Sequence, residues 1–503
     1  MRYSNALKSL CFAVALTTTG CLATSYAQAQ TATIALRVNV NTLDPHMSAS
    51  VGSDLSVLSH IYPALILRGP DLKLKPSVAK SWEMINDTTW RFHLVDGAKF
   101  ADGEPIDANT VKWNLDRVKD PKVGARIAAW FALVSGVKVI DPLTVDIETS
   151  KPFPALADQL SMFFMLPPKW AATHNPAQET MSGGPYKVAE NVPGDHITLT
   201  ENPDYWGKKP KFDKVIFRTI PEMSSRVAAL EAGEVDLITG VTIDDIKNID
   251  ASGKAKAGVV DSTRSMLIKF NAEKAPMNNV KVRQAVNYAM DKEGIADAIF
   301  GGKATVSTCQ LMTPAYFGYN PNLKPYPYDP DKAIKLLKES GADLSKPIEF
   351  DVPVATYLQG SDVAQIIAQE LTEVGLKVKI NEMEFGSYMN KMVKAHKMGD
   401  ISLLGLAWAT IDADGMLSMF SDGNVYDYWH NKPFSKLLAE ARTSSDKAKR
   451  QDLYNKATKM MCDEAGAGFL YVMPATYGVS DRVTWHARGD DWVRAMDMEP
   501  KQQ

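Results

Sequence analysis

The sequence lacks most of the features that would mark an enzyme, a membrane protein or a nucleic-acid binder. Across 503 residues there are only four cysteines. Cys11 and Cys21 fall in an N-terminal segment that reads as a leader, which leaves Cys309 and Cys462. Two cysteines cannot build a structural zinc site unaided. An oxidising compartment permits a disulfide between them, and the sequence leaves bonded and free forms open. The patterns G-x-S-x-G, H-E-x-x-H, G-x-x-x-x-G-K-[ST] and G-x-G-x-x-G are all missing, which removes the commonest hydrolase, zincin, phosphate-loop and dinucleotide signatures. "SVAK" at Ser77 to Lys80 matches S-x-x-K, but K-T-G is absent, and a helix start before Trp82 is the simpler expectation. The eight histidines include no pair at i,i+2 or i,i+4. Local spacing therefore supports no metal site, and no cofactor is expected.

Beyond the leader, no apolar run reaches the ~18 residues of a membrane-spanning helix. An excess of positive charge is missing too. Lys and Arg number 56 against 59 Asp and Glu, for a net charge of −3. Residues 1–29 contain Arg2 and Lys8 and no acid, so the chain without them carries −5. Nucleic acid and anionic membrane surfaces are not expected partners.

What is present begins with that leader. "MRYSNALKS" is a short basic region, "LCFAVALTTTG" is an apolar stretch too short to span a bilayer, and "AQA" at Ala27 to Ala29 is an A-x-A cleavage site that leaves Gln30 first. Cys21 offers a second processing route, a lipid-anchored chain cut before "CLA", although the preceding "TTG" lacks the usual aliphatic residue. Either route implies export to the periplasm. The remaining length exceeds what one core usually serves, so two or three lobes are expected.

The N-terminal half is turn-rich and β-rich. "TATIALRVNV" alternates as a strand, and "SDLSVLSHIYPALI" has helical spacing with Ser53 as N-cap. Trp90, Phe92 and Leu94 alternate, and "SGVKVIDPLTVDIET" reads as a hairpin around Asp141-Pro142. After Met266 longer helices alternate with strands. "NNVKVRQAVNYAMDKEGIADAIFGG" reads as one helix ending in glycines. "DPDKAIKLLKESG" has Asp329 at the N-cap, Pro330 at the first helical position and Gly341 at the stop. Helix–strand alternation of this kind predicts an α/β lobe.

Candidate chemistry concentrates in "GLAWATIDADG". A strand from Ile401 runs into Trp408, and Asp412 and Asp414 follow two residues apart. In α/β sheets, ligand crevices lie beyond the carboxyl ends of strands. Trp408 there suits a ligand wall. The two acids suit helix capping, ligand contact or, least well, acid/base catalysis. "MSGGPY" at Met181 to Tyr186 puts two glycines beside a proline, with Ser182 and Gly183 in a loop that lets a ligand approach backbone amides. A tight turn into the next strand is the competing role. Tyr426, Tyr428 and Trp429 add aromatic surface or core.

Taken in order, five stretches resemble the bacterial extracellular solute-binding proteins of family 5, the peptide/nickel type that serve ABC importers. They are "LDPHMSASVGSDLSVLSHIYPALI", "LKPSVAKSWEMINDTTWRFHLVDGAKFADGEPIDANTVKWNLDRV", "SGGPYKV", "KFNAEKAPMNNVKVRQAVNYAMDKEGI" and "DPDKAIKLLKESG". The resemblance implies a two-lobed α/β periplasmic binding protein of type II, with an extra β-rich subdomain in the N-terminal lobe. Lobe I would combine residues 30–61, 167–265 and 475–503, the extra subdomain would be 62–166, and lobe II 266–474. Segments near Met266–Asn271 and Met473–Ser480 would cross between lobes. The implied protein is a monomeric, non-enzymatic receptor. It captures a peptide-like or other small polar solute and delivers it to an inner-membrane ABC permease. Nickel or other metal chelates, glutathione, opines and oligosaccharides are alternative ligands within the family, and a periplasmic hydrolase is the rival class. The implied ligand contacts are Trp408, Thr410, Asp412 and Asp414 from one lobe and Ser182 and Gly183 from the other, with Arg37 and Arg264 as candidates for a carboxylate. Peptide-binding relatives read W-x-x-D-x-x-D-P here. In this chain Ile411 stands at the first acid, Asp414 at the second and Gly415 at the proline, which puts standard capture of a peptide α-ammonium group in doubt.

Overall fold

Strand Ile401–Leu406 is buried at every position. A run with no polar face needs cover on both sides, which places it inside a sheet. In the computed structural model, which describes residues 30–501, that sheet has eleven strands. The expected leader, its cleavage point after Ala29 and the Cys21 alternative lie outside the described residues. From one edge the strand order is Val378–Met383, Ile348–Pro353, Ile401–Leu406, Ala255–Phe270, Gly468–Ser480, Leu237–Thr239, Thr31–Leu36, Lys214–Thr219, His196–Glu201 and Tyr186–Val192. The short strand Thr305–Val306 also pairs with Gly468–Ser480.

Two long antiparallel strands in the middle, Ala255–Phe270 and Gly468–Ser480, belong to both halves of this sheet. At one end Gly468–Ser480 pairs with Leu237–Thr239. At the other, Ala255–Phe270 pairs with Ile401–Leu406. Between these regions the register breaks. Asp261 pairs with Pro474 and Ser265 with Val472, so Ser262, Thr263 and Arg264 stand opposite a single residue, Met473. A bulge of this kind bends the strand and re-aims a side chain. It separates the two lobes of the α/β fold.

Each lobe has its own core. In the first, Ile34, Leu58, Phe217 and Trp485 pack in one cluster. In the second, Ile268, Val286, Phe350 and Leu403 pack in another. Cys309 and Cys462 lie in or against a further lobe II cluster and form a disulfide with Cα atoms 5.2 Å apart. The extra β-rich subdomain is a four-stranded antiparallel sheet in the order Ala79–Asn86, Thr89–Leu94, Thr144–Thr149, Val134–Asp141. The alternation of Phe92 and Leu94 is explained here, since both are fully buried under helix Ala108–Lys119. Asp107 starts that helix with a capping box to Thr110.

Three local expectations need correction. "SVAK" opens strand Ala79–Asn86 rather than a helix. Ser53 is no N-cap: a π-helical turn over Val51–Leu55 precedes helix Ser56–Ile61, and the buried Ser53 hydroxyl pairs with Ser50. The single helix after Asn278 is two helices, Val280–Ala289 and Lys292–Phe300. Met290 is extended between them, and Asp291 caps the second helix through the Gly294 amide. An acid able to cap competes with helix continuation, and tertiary packing favoured the break.

Candidate functional site

The segment after strand Ile401–Leu406 is held from several sides. Tyr316 is buried. Its hydroxyl accepts the Trp408 N–H at 2.8 Å and donates to the Thr263 carbonyl in the bulge at 3.0 Å. Ala409 packs on the lobe I core, and the Thr410 carbonyl accepts from Arg68 Nη2 of the extra subdomain at 3.3 Å. The same guanidinium nitrogen binds Asp158 at 2.8 Å. Burial pushes the Asp158 carboxyl above its ordinary range, against the opposing pull of Arg68. Trp408, Ala409 and Thr410 therefore lie where the lobes meet. Farther out, Ser445 Oγ donates to Asp87 of the subdomain at 2.8 Å.

Ile411 has φ of +52°. That conformation is unusual for a β-branched residue and costs on the order of 1–3 kcal/mol. The turn is fixed by Ile411 N–H to the Trp408 carbonyl at 3.1 Å and Phe317 N–H to the Ile411 carbonyl at 3.0 Å. It points the Ile411 side chain into the lobe II core, 6% exposed. Ile411 is thus an apolar core residue.

Asp412 caps the short helix Ala413–Leu417, its Oδ1 accepting the Asp414 N–H at 3.0 Å. The same carboxylate takes Arg450 Nη2 at 3.0 and 2.8 Å and lies 3.4 Å from the Tyr454 hydroxyl. Burial raises its pKa, while Arg450 opposes the shift. Asp414 pairs with Arg442, whose Nε donates at 2.9 and 3.1 Å. Both acids are committed to arginines of lobe II. Gly415 lies directly beneath the Trp408 indole. A Cβ at Gly415 would occupy the ring's space. The glycine therefore permits the partly buried indole to lie on the first turn of the helix.

Among the described residues Ser182 and Gly183 make no hydrogen bond to this loop. Ser182 is buried, and its Oγ lies 2.6 Å from the Tyr186 carbonyl and 3.0 Å from that of Ile61. The Gly183 and Gly184 amides both donate to the Ile61 carbonyl, at 3.1 and 2.8 Å. A Cβ at Gly184 would stand 2.6 Å from the His60 carbonyl oxygen. Close backbone approach to helix Ser56–Ile61 accounts for Gly184, and the Phe100 ring fills the space a Cβ at Gly183 would need.

Arg264 occupies the bulge. Its guanidinium reaches the Gly405 carbonyl of lobe II at 3.4 Å and Asp491 of lobe I at 3.3 Å. Both contacts are long, and the side chain keeps 27% exposure. Tyr357 and Met266 stand over the Gly405 backbone beside it. The sequence singles out Arg264 only as a candidate, because nothing local marks a bulge. Arg37 is exposed on lobe I. Arg68, Tyr316 and Asp491 carry no sequence signal, since each gains its place through contacts far along the chain.

Two lobes joined by long crossing strands, with the segment from Trp408 to Thr410 where they meet, make up the architecture. The chain belongs to the bacterial extracellular solute-binding proteins, family 5, whose middle region matches residues 73–428. It is 30% identical to the dipeptide-binding protein of Escherichia coli K12 over 78% of this chain and 79% of that one. It is 28% identical to the glutathione-binding protein GsiB of the same organism, over 86% and 87% of the two chains. The fold is similar to that of the ABC transporter substrate-binding protein CtaP from Listeria monocytogenes, with a TM-score of 0.85 and 22% identity over 94% of this chain and all of that one. No helix among the described residues is long and apolar enough to cross a membrane.

Proposed function

We propose that this chain is the substrate-binding component of an ABC importer. It takes a peptide-like or other small polar solute between its lobes and passes it, unaltered, to an inner-membrane permease. The observation that carries this reading is the junction itself. Ala409 and Thr410 of lobe II meet lobe I and its subdomain, and Tyr316 ties the Trp408 backbone to the bulge that carries Arg264, whose long contacts leave it able to exchange partners. A carboxylate on the solute would draw Arg264 away from Asp491 and Gly405 into a charge-assisted contact. Trp408 supplies an apolar wall. Ser182 and Gly183 shape lobe I rather than offer free donors. Asp412 and Asp414 brace the loop from behind rather than receive an ammonium group.

Catalysis by the two aspartates is disfavoured by their ion pairs, because a general acid needs a free face toward substrate. Differential affinity for the closed arrangement drives closure, as for other hinged receptors. The receptor acts as an exported monomer, with the leader cut after Ala29. Calorimetry against di- and tripeptides, glutathione, opines, oligosaccharides and Ni²⁺–chelates tests the proposal. Saturable binding without turnover supports it. Turnover of a glycoside abolished by Asp414→Asn, with no binding elsewhere, overturns it.

A further inference from the structure

Away from the cleft, the segment after the Trp408 loop gathers ligand atoms at the outer end of lobe II. Asp427 is 1% exposed. Its Oδ1 accepts the backbone N–H groups of Trp429 and His430 at 2.9 and 3.2 Å, which fixes the carboxylate plane. Its Oδ2 is buried without a hydrogen-bond partner and faces His430 Nδ1 at 3.1 Å. Asp422 Oδ1 lies 3.8 Å from the same nitrogen. One ligand atom from each of the three residues falls within 4.8 Å of the others. On the far edge of the ring, His430 Nε2 meets Glu273 Oε1 at 2.7 Å. That oxygen also receives His396 Nε2 at 2.8 Å. A carboxylate behind an imidazole fixes the proton on the far nitrogen and directs the near lone pair outward.

We propose that Asp422, Asp427 and His430 form a binding site for a divalent transition metal of the Zn²⁺ type, with Glu273 orienting His430 from behind. Two carboxylates and one imidazole form an oxygen and nitrogen donor set that such ions accept. The orphaned Asp427 Oδ2 gains a partner when the ion is bound. Asp422 and His430 are each about half exposed, so water completes the coordination sphere. The site is separate from the solute cleft. Its loop docks beside the end of strand Ala255–Phe270, where the Ala272 N–H donates to the Tyr428 carbonyl at 2.9 Å. Six residues of extended strand, roughly 20 Å, separate Phe270 from Arg264. The ion acts as a clip that ties the loop between Phe420 and Lys432 to the Glu273 turn. The ligands come from positions three and eight apart on an irregular loop, so no spacing motif announces them.

The arrangement without an ion is the His430 ring held by Glu273 and standing beside Asp427 and Asp422. Equilibrium dialysis and calorimetry of the leader-free chain with Zn²⁺ as the sole ligand separate the two. The expected result is saturable uptake of one equivalent. His430→Gln and Asp422→Asn should each weaken it at least tenfold, and Glu273→Gln about tenfold. Both ligand variants alter half-exposed side chains, and circular dichroism checks that each still folds. His196→Gln, which removes a partly buried histidine flanked by Asp195 and Glu190, should leave uptake unchanged. Absence of saturable uptake, uptake that survives His430→Gln and Asp422→Asn, or equal loss in His196→Gln would overturn the site.

Discussion

The Ser182–Tyr186 turn of lobe I and the Trp408–Gly415 loop of lobe II are built by opposite means. On lobe I the Ser182–Tyr186 turn rests on neutral hydrogen bonds to helix Ser56–Ile61. On lobe II the Trp408–Gly415 loop rests on charges, Asp412 with Arg450 and Asp414 with Arg442. The neutral side closes all its polar groups within its own lobe. The charged side sends one carbonyl and one alanine across to the other lobe and stores a left-handed isoleucine. Satisfied neutral contacts hold the first in place, and ion pairs brace the strained second.

Acid should break the neutral side first, with the largest effect. His60 Nδ1 donates to the Ser56 carbonyl while Nε2 accepts the Ala495 N–H. His46 Nε2 donates to the Phe164 carbonyl while Nδ1 accepts from Arg117. Each ring is therefore neutral, with one nitrogen required as an acceptor. Burial lowers the pKa values to about 3 for His60 and about 4 for His46. The unfolded chain binds these protons near 6.5 and the folded chain only far below. The stability they contribute is complete above pH 6.5 and is lost as pH falls toward 4, by several kcal/mol in total. Urea midpoints measured across that range should fall steeply.

The charged side yields next. Arg450→Met leaves the buried Asp412 unpaired and should cost ~3–5 kcal/mol, with Asp412→Asn in the same chain restoring part of it. Urea unfolding of the single and double variants measures both. Replacing Cys309 and Cys462 by serine should cost about 2–4 kcal/mol, because the bond closes a long loop within lobe II. Thiol titration of the native and unfolded chain checks that the bond is present. Gly415→Ala should displace the Trp408 indole. Stability should change by less than about 1 kcal/mol if the ring swings outward, while solute affinity drops about tenfold.

The same contrast explains what the sequence made legible. The two-lobed α/β plan, the β-rich subdomain and the family were readable because long amphipathic stretches and ordered motifs carry them. Asp329, Pro330 and Gly341 mark their helix as written, and the cap at Asp412 follows from its place at a strand-to-helix junction. The partners of the acids were not readable. Arg450 lies 38 residues beyond Asp412, and Arg68 lies 342 residues from Thr410. Nor does composition announce a bulge, so the role of Arg264 depends on a register shift that only the paired strands reveal. In "SGGPY" the group that approaches the Gly183 and Gly184 amides is the Ile61 carbonyl of the chain's own helix, which the local spacing does not announce.

Calorimetric titration of the wild-type chain and Trp408→Ala with the best-binding solute from the peptide and chelate set tests the receptor reading most directly. One solute should bind per chain and be recovered chemically unchanged, and Trp408→Ala should weaken it at least tenfold with the fold intact. Equal affinity in the two chains, or conversion of the solute, would contradict a receptor whose ligand lies against the Trp408 loop.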